Sequence, residues 1–293
     1  VRHCHCEIYT VTFKAKADKG NYPIVLIHGF GTGVAYWAPN IHGLNEQYDI
    51  HCLDMPGFGR SDRPTFSQDE TLAELEMVSC LEDWRKEMNI DKMYMIAHSF
   101  GAFFSTSYAL EHPHRIEHLV LIDPWGFPEK PVLTQKQIDP QLYMHIISRI
   151  LSYFNPFFLI RCSGGYASLL LRTLRPDVKE KFTLEGKKSN NDVYEYLALC
   201  NSGYPSGERL YKTLTDSSAF ALRPMSRRFN GMDPNIRTSF IYGSKTFIDP
   251  GPALEIQYDR SDRVDVQILR GAGHLVNVDV VEDFNRIILS FFS

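Results

Sequence analysis

Ser99 is the residue of this sequence whose type and surroundings point most directly to chemistry. It lies in "YMIAHSFGAFFS" (94–105), where a short apolar run ends and small and aromatic residues follow. A serine hydroxyl can act as a nucleophile when a sharp strand-to-helix turn exposes it, as in the G-x-S-x-G pattern. Gly101 matches the second glycine of that pattern, and Ala97 replaces the first with another small residue. We predict that Ser99 is a nucleophile; a serine that only caps a helix is the alternative.

A nucleophilic serine needs a base that removes its proton. His274 lies in "LRGAGHLVNVD", a glycine-flanked loop between the last predicted strand and the terminal helix. We expect His274 to be this base. A loop histidine that fills a polar niche is the alternative.

The base in turn needs a carboxylate that fixes its tautomer. After the predicted strand "TSFIYG", the common spacing puts an aspartate three residues past the glycine, but Thr246 occupies that position. Asp249 follows three residues later, and we predict that it is the acid. Asp123, at the end of the preceding strand, is the alternative acid, or else a cap of that strand end.

The negative oxygen that forms during acyl transfer needs two preorganised N–H donors. Phe100 follows the nucleophile, and we predict that its backbone supplies one donor. Phe30 lies in the glycine-rich "HGFGTG" loop, and we predict that it supplies the second. His28 is expected to orient this loop through hydrogen bonds.

His274 and Asp279 also form an H-x-x-x-x-D pattern, which occurs in glycerolipid acyltransferases with the histidine as base and the aspartate as its support. Asp279 and Glu282 equally fit a capping box for the last helix. Both interpretations of Asp279 stay open at this point.

These residues must be positioned by elements that the sequence also predicts. Short apolar runs alternate with helical stretches, which indicates βαβ units and a mostly parallel sheet flanked by helices, an α/β fold. The predicted strands lie in the ranges 22–29, 48–57, 91–98, 116–124, 236–243 and 263–274. Most of the motifs above follow the carboxyl ends of these strands, where ligands bind in such sheets.

The alternation stops between residues 127 and 235, a stretch rich in Pro, Tyr, Phe and Arg. We predict a mainly helical cap (127–235) inserted into a core formed by 1–126 and 236–293. Within it, "HIISRILSYFNPFFLIRC" (145–162) is strongly apolar. It is interpreted as a helix packed on the core or as an interfacial segment that contacts lipid.

Composition narrows the class of partner. A net charge of −4 and an isoelectric point near 6.3 provide no overall attraction to nucleic acid, so we predict no nucleic-acid partner.

The "RHCHCE" segment resembles a set of metal ligands, but its alternation continues into "IYTVTFKAK", which favours a strand. We therefore predict no metal site and no cofactor. Six scattered cysteines indicate reduced thiols in an intracellular compartment.

The chain resembles the α/β-hydrolase superfamily over its whole length, and within it the branch of α/β-hydrolase domain-containing proteins four and five. The matching stretches are "VLIHGFGTGVAYWAPN", "DMPGFGRSDRP", "EDWRKEMNIDKMYMIAHSFGAF", "LVLIDPWGFPEKP", "RPMSRRF", "YGSKTFID" and "GAGHLVNVDVVEDFN". "DPWGFPEKP" and the H-x-x-x-x-D pattern are specific to that branch.

The resemblance implies a serine-dependent lipid ester hydrolase or acyltransferase that acts on (lyso)glycerophospholipid-type substrates through an acyl-enzyme. It implies lysophospholipase-like activity, with lysophosphatidic acid acyltransferase as a further activity. The alternative is a non-catalytic co-activator of triacylglycerol lipase at lipid droplets. The co-activator member of the branch has Asn at the nucleophile position, whereas this chain has Ser99.

The expected partners are an acyl lipid substrate, a membrane or lipid-droplet surface contacted peripherally through the cap, and a lipase. Arg227 and Arg228 are candidates for contact with lipid headgroups or a partner, or else belong to a solvated face. The expected location is the cytoplasm, peripherally on membranes or lipid droplets, with the mitochondrion as an open alternative.

Overall fold

A computed structural model describes residues 6–17, 22–131, 157–182 and 191–292. Its centre is a seven-stranded sheet in the order β1-β3-β2-β4-β5-β6-β7, in which only β1 runs antiparallel to its neighbour. The strands are β1 (Thr10–Phe13), β2 (Ile24–Ile27), β3 (Ile50–Leu53), β4 (Met93–His98), β5 (Ile116–Ile122), β6 (Arg237–Gly243) and β7 (Val264–Leu269). The mostly parallel sheet that the sequence predicts is confirmed.

The apolar runs form strands because the central part of the sheet is buried on both faces. All four residues of β2 and of β3 are buried, as expected for parallel strands covered by helices on either side. The helices of the core are α1 (Ala38–Leu44), α2 (Glu70–Glu87), α3 (Phe100–Glu111), α10 (Gly251–Asp259), α11 (Val276–Asp279) and α12 (Val281–Phe292). α2 packs on α3, and α1 packs on α12.

Between β5 and β6 the described residues contribute no strand to the sheet. They form α4 (Phe158–Ser163), α5 (Ala167–Leu174), α6 (Asp177–Lys181), α7 (Asp192–Cys200), α8 (Ser206–Leu214) and α9 (Met225–Arg228). Residues 145–156 of the predicted apolar cap segment lie outside the described residues, as do residues 2–5 of "RHCHCE". The domain boundaries at 127 and 235 stay a prediction.

Arg228 differs from its expected place on a lipid-facing or solvated surface. Its guanidinium pairs with the buried carboxylate of Glu74, with Nη2 2.6 Å from Oε1. Arg223 binds the same carboxylate, so two partly exposed arginines on the buried Glu74 tie the segment around α9 to α2. Arg227 does lie at the surface, where it pairs with the exposed Glu129.

None of the helices in the described ranges is both long enough and apolar enough to cross a bilayer.

Candidate active site

Ser99 lies at the turn between β4 and α3, and its backbone conformation is strained. Its φ of 52° and ψ of −115° are uncommon for a residue with a side chain. Such strain is characteristic of a nucleophile turn, which lifts the hydroxyl above the sheet. Gly101 is required there, because a Cβ at this position would lie 2.3 Å from the backbone oxygen of His28.

Three side chains form a continuous hydrogen-bonded line at the carboxyl edge of the sheet. The Oγ of Ser99 lies 3.1 Å from Nε2 of His274, and Nδ1 of His274 bonds to Oδ2 of Asp123. A carboxylate only accepts, so the Nδ1 facing it carries the proton. Nε2 then has a free lone pair for the hydroxyl proton of Ser99. Ser99 and His274 are thus brought together as the sequence indicates.

The structure corrects the prediction that Asp249 faces His274. Among the contacts of the described residues, the exposed Asp249 carboxylate accepts one hydrogen bond, from the N–H of Gly251 at 2.9 Å. It therefore steadies the turn that enters α10. Asp123, the alternative acid, occupies the position beside His274.

Asp123 reaches His274 because of its backbone. It follows the last residue of β5, adopts a φ of +43°, and donates its N–H to the oxygen of Ile241 on β6 at 2.8 Å. Asp and Asn tolerate this left-handed conformation better than most residues with a side chain. The residue is fully buried, so its carboxylate has little freedom to point elsewhere.

Thr246 also binds the Asp123 carboxylate, and it was missed as a site residue from the sequence. Its hydroxyl donates to Oδ2 of Asp123, the same oxygen that accepts from His274. The signal was present in the sequence, since Thr246 stands at the spacing after β6 where an aspartate is common. Here the carboxylate beside His274 is that of Asp123, after the neighbouring strand β5. Thr246, at the position where an aspartate is common, donates a hydrogen bond to it.

The two predicted oxyanion donors are the backbone N–H of Phe100, which follows Ser99, and that of Phe30, whose neighbour Gly29 lies close to Ser99. Phe100 is the first residue of α3, and the first N–H groups of a helix have no intrahelical acceptor. The Phe30 N–H has no hydrogen bond to an acceptor in the described ranges. The loop that carries Phe30 turns at Gly31, whose φ is +73°.

His28 orients the loop that carries Phe30. Its Nε2 accepts the N–H of Met55 at 2.9 Å, and its Nδ1 lies 2.7 Å from the Gly29 oxygen. Nδ1 therefore carries the proton. Complete burial lowers the pKa of His28, which favours this neutral form.

Asp54, which the sequence did not single out, supports the same loop from β3. Its carboxylate accepts the N–H groups of Val34 at 2.6 Å and Arg60 at 2.8 Å. It therefore joins the loops that follow β2 and β3.

His98 supports the backbone of His274. Its Nε2 lies 2.9 Å from the His274 carbonyl oxygen, and its ring stacks on Tyr36 with 4.8 Å between ring centres. Burial, together with the neighbouring His274, holds the pKa of His98 well below its usual value. The neutral ring therefore donates from Nε2 to the carbonyl.

Among the hydrogen bonds of the described residues, the Asp279 carboxylate has none to the His274 ring and none to an N–H of α12. Its Oδ2 accepts the N–H of Gly273 at 2.8 Å, and its Oδ1 pairs with Lys181 of the cap. Among the hydrogen bonds of the described residues the capping box is therefore not formed, whereas the role of Asp279 as a support of the base stays a prediction.

An aromatic cluster lies beside Ser99 on the Phe30 side. Phe30 is 5.5 Å from Phe58, 4.8 Å from Tyr211 and 5.3 Å from Phe157 of the cap, measured between ring centres. Trp125 contacts Phe100 and Tyr211 and extends the cluster. Aromatic side chains therefore pack around Phe100, the residue that follows Ser99.

No group of three or more His, Cys, Asp or Glu side chains in the described residues is arranged to hold a metal ion.

Comparisons with known proteins agree with this architecture. Residues 22–150 match the family model for the alpha/beta hydrolase fold. The chain superposes on the structure of Cfl2 from Burkholderia cenocepacia with a TM-score of 0.72 at 22% identity, covering 99% of this chain and 94% of that one.

Relatives among curated proteins are considerably more similar. The chain is 44% identical to Abhydrolase domain-containing protein lid-1 of Caenorhabditis elegans, over 98% of this chain and 80% of that protein. It is 37% identical to the 1-acylglycerol-3-phosphate O-acyltransferase ABHD5 of Rattus norvegicus, over 95% and 79%. It is 36% identical to the (Lyso)-N-acylphosphatidylethanolamine lipase of Mus musculus, over 96% and 82%. The chain therefore belongs to the α/β-hydrolase family, in the branch of α/β-hydrolase domain-containing proteins four and five.

Proposed function

We propose that this protein is a serine-dependent lipid ester hydrolase or acyltransferase that acts on (lyso)glycerophospholipid-type substrates. The observation that carries the proposal is the line from Ser99 through His274 to Asp123, with 3.1 Å between Oγ and Nε2. This order of nucleophile, base and acid is the arrangement that activates a serine for acyl transfer.

In the first half of the reaction, Nε2 of His274 takes the Ser99 proton as Oγ attacks the ester carbonyl carbon. The carbonyl oxygen becomes negative and accepts hydrogen bonds from the backbone N–H groups of Phe100 and Phe30. When the tetrahedral intermediate collapses, the bond to the alcohol breaks. The leaving alcohol takes the proton from Nε2, and the acyl group stays on Ser99.

In the second half, water or the hydroxyl of an acceptor lipid attacks the acyl-enzyme. Nε2 takes the proton of the attacking group and returns it to Oγ as the ester to Ser99 breaks. Water yields a free fatty acid, whereas a lipid hydroxyl yields a new ester. Asp123 stays ionised and stabilises the protonated imidazole of His274 in both halves.

Two observations support a lipid as the acyl donor. The half-buried side chains of Phe30, Trp125 and Tyr211, which pack on the buried Phe58 and Phe100, offer an apolar surface for an acyl chain near Ser99. Relatives at 36–37% identity carry the names of a lipase and an acyltransferase of glycerolipids. An apolar surface binds acyl chains through the burial of their methylene groups, at about 0.8 kcal/mol each.

The test is covalent labelling with a fluorophosphonate probe, followed by a lipid panel. Wild-type protein should be labelled at Ser99, and Ser99→Ala should abolish labelling and all turnover. Ser105→Ala is the matched control, because Ser105 is a buried serine of α3 outside the hydrogen-bonded line. Wild-type protein that resists labelling at high probe concentration would contradict the proposal. The panel should compare lysophospholipids and N-acyl phospholipids, with and without lysophosphatidic acid as acceptor.

A second candidate function is a co-activator that binds a lipid surface and recruits a triacylglycerol lipase. It is favoured by the exposed apolar side chains on α4, α5 and the turn between them, which are Phe158, Leu159, Tyr166, Leu169 and Leu174. This surface would place the protein peripherally on cytoplasmic membranes or lipid droplets.

The two functions are separated by a Ser99→Ala variant in a lipase activation assay. Full activation by that variant would support the co-activator, and loss of activation with an intact fold would support the enzyme. Flotation of Leu159→Glu with phospholipid vesicles tests the surface itself. Binding equal to that of wild type would exclude this surface.

A further inference from the structure

The loop that carries His274 is held by two side chains, one on each side of the histidine. Asp279 accepts the N–H of Gly273 at 2.8 Å, and His98 donates from Nε2 to the His274 oxygen at 2.9 Å. Both bonds are to backbone atoms, so they fix where the chain runs. The imidazole position follows from the position of this backbone.

The end of α6 in the cap contacts the first of these supports. Lys181, the last residue of α6, pairs with Oδ1 of Asp279 while Oδ2 holds Gly273. The Lys181 side chain is 28% exposed and that of Asp279 is 12% exposed. Water therefore screens this pair less than a surface pair.

The next cap residue contacts the second support through one intermediate ring. Phe182 lies against Tyr36 with 6.2 Å between ring centres, and Tyr36 stacks on His98 at 4.8 Å. Tyr36 is itself anchored, because its hydroxyl donates to Asn277 of α11. Of these two consecutive residues, Lys181 thus contacts one support of the histidine loop directly, and Phe182 reaches the other through Tyr36.

We infer that Asp279 and His98 are positioning residues for His274, and that the end of α6 acts on the site through them. The inference deepens the proposed function, on which its kinetic part rests. In this view the aspartate of the H-x-x-x-x-D pattern serves hydrolysis and acyl transfer equally, because it holds the base that both reactions use. The docked cap then keeps Nε2 of His274 within hydrogen-bonding reach of Ser99.

The expected effects follow from the two oxygens of Asp279. Asp279→Ala removes the acceptor for Gly273 and the partner of Lys181, so the rate of probe labelling should fall by about 10- to 100-fold. Asp279→Asn keeps an acceptor oxygen for Gly273 but loses the negative charge that pairs with Lys181. Lys181→Met removes the positive charge of the same pair. Each of these two variants should lower the rate by about 3-fold, and the double variant should be no slower than either single one.

Lys130→Met is the matched control. Lys130 pairs with Asp216 at 2.6 Å, which is also a lysine–carboxylate pair of the inserted region, and neither residue contacts the histidine loop. Its labelling rate should stay within about 2-fold of wild type, because the Lys130 side chain is 52% exposed and a pair with one exposed partner contributes little. An equal loss in Lys130→Met and Lys181→Met, or an unchanged rate in Asp279→Ala, would overturn the inference.

Hydrogen–deuterium exchange separates this inference from the proposed function. Exchange in a peptide covering residues 271–275 should rise at least about tenfold in Asp279→Ala and less in Asp279→Asn, while exchange in the buried strand β4 stays unchanged. If this pattern appears and wild-type Ser99 is not labelled, the positioning role stands and the proposed function fails. Unchanged exchange in Asp279→Ala overturns the positioning role, whatever the labelling rates are.

Discussion

The loops after β5 and β6 leave neighbouring parallel strands at the same edge of the sheet, and each carries an aspartate. Asp123 follows β5 directly, is fully buried, and bonds to His274 and Thr246. Asp249 lies six residues beyond β6, is exposed, and accepts the N–H of Gly251. The two carboxylates thus have the same chemistry and similar strand-end positions, but different partners.

The difference shows that distance along the chain is a weak guide to which carboxylate meets a base. Asp123 is aimed by its positive φ and by the bond from its N–H to Ile241. Asp249 is drawn instead into the turn before α10. Thr246 joins the two loops, because it stands on the β6 loop and donates to the carboxylate of the β5 loop.

The largest difference between Asp123 and Asp249 is expected when each carboxylate is neutralised in turn. Asp123→Asn should lower the rate of Ser99 labelling by about 10⁴-fold, because the amide favours the wrong tautomer of His274. Asn also accepts positive φ, so the backbone should persist. Asp249→Asn should label at a rate within about 2-fold of wild type, since the amide oxygen can still accept from Gly251. Equal losses in the two variants would refute the assignment of the acid.

Lowering the pH should weaken the pairing of β5 with β6 at the strand ends that lie away from Ser99. His118 on β5 lies 2.9 Å from the Ser239 hydroxyl on β6, and burial lowers the pKa of His118 to about 4, with Arg237 adding to the effect. The unfolded chain, with a histidine pKa of about 6.5, binds more protons between these values. The free energy of unfolding should therefore fall by up to about 3 kcal/mol as the pH drops from 6.5 to 4.

Urea unfolding at several pH values measures this fall. His118→Gln keeps a polar group near Ser239 but does not titrate in this range, so its stability should depend less steeply on pH. A slope equal to that of wild type would assign the acid sensitivity to other groups. Labelling rates measured where both proteins are folded separate this effect on the sheet from any effect on the site.

Thr246→Val tests the contribution of the β6 loop to the β5 carboxylate. The loss of a donor to a charged, buried acceptor costs about 1.5–3 kcal/mol, so labelling of Ser99 should slow by about tenfold or more. Thr246→Ser retains the hydroxyl and should label at nearly the wild-type rate. A Val variant as fast as the Ser variant would show that the bond to Asp123 does not help to hold the acid.

The smallest effect is expected at Ala97, beside the nucleophile. Ala97→Gly restores the common glycine but adds backbone freedom within β4, so it should destabilise the fold by about 0.5–1 kcal/mol. The labelling rate should change less than 2-fold, about the scatter of such measurements. Gly101→Ala, whose Cβ would lie 2.3 Å from the His28 oxygen, should be much more harmful. A faster Ala97→Gly variant would mean that Ala97 limits the site.

Much of the architecture could be predicted because its signals are local. Each predicted range of the parallel strands contains an observed strand, from β2 in 22–29 to β7 in 263–274. Buried parallel strands show as continuous apolar runs, and the turns between them show as glycine-rich segments. The loops that carry Ser99, Phe30 and His274 follow from that pattern, because they lie at strand ends in the expected order.

The sequence by itself determined the fold class, the nucleophile turn and the histidine loop, since each depends on residues close together in the chain. Only the tertiary structure decided which aspartate faces His274 and what Asp279 holds. Asp123 is 151 residues from His274, and Lys181 is 98 residues from Asp279. Such contacts depend on where distant backbones are brought together and on the direction in which each side chain leaves them. Neither of these is encoded in local spacing.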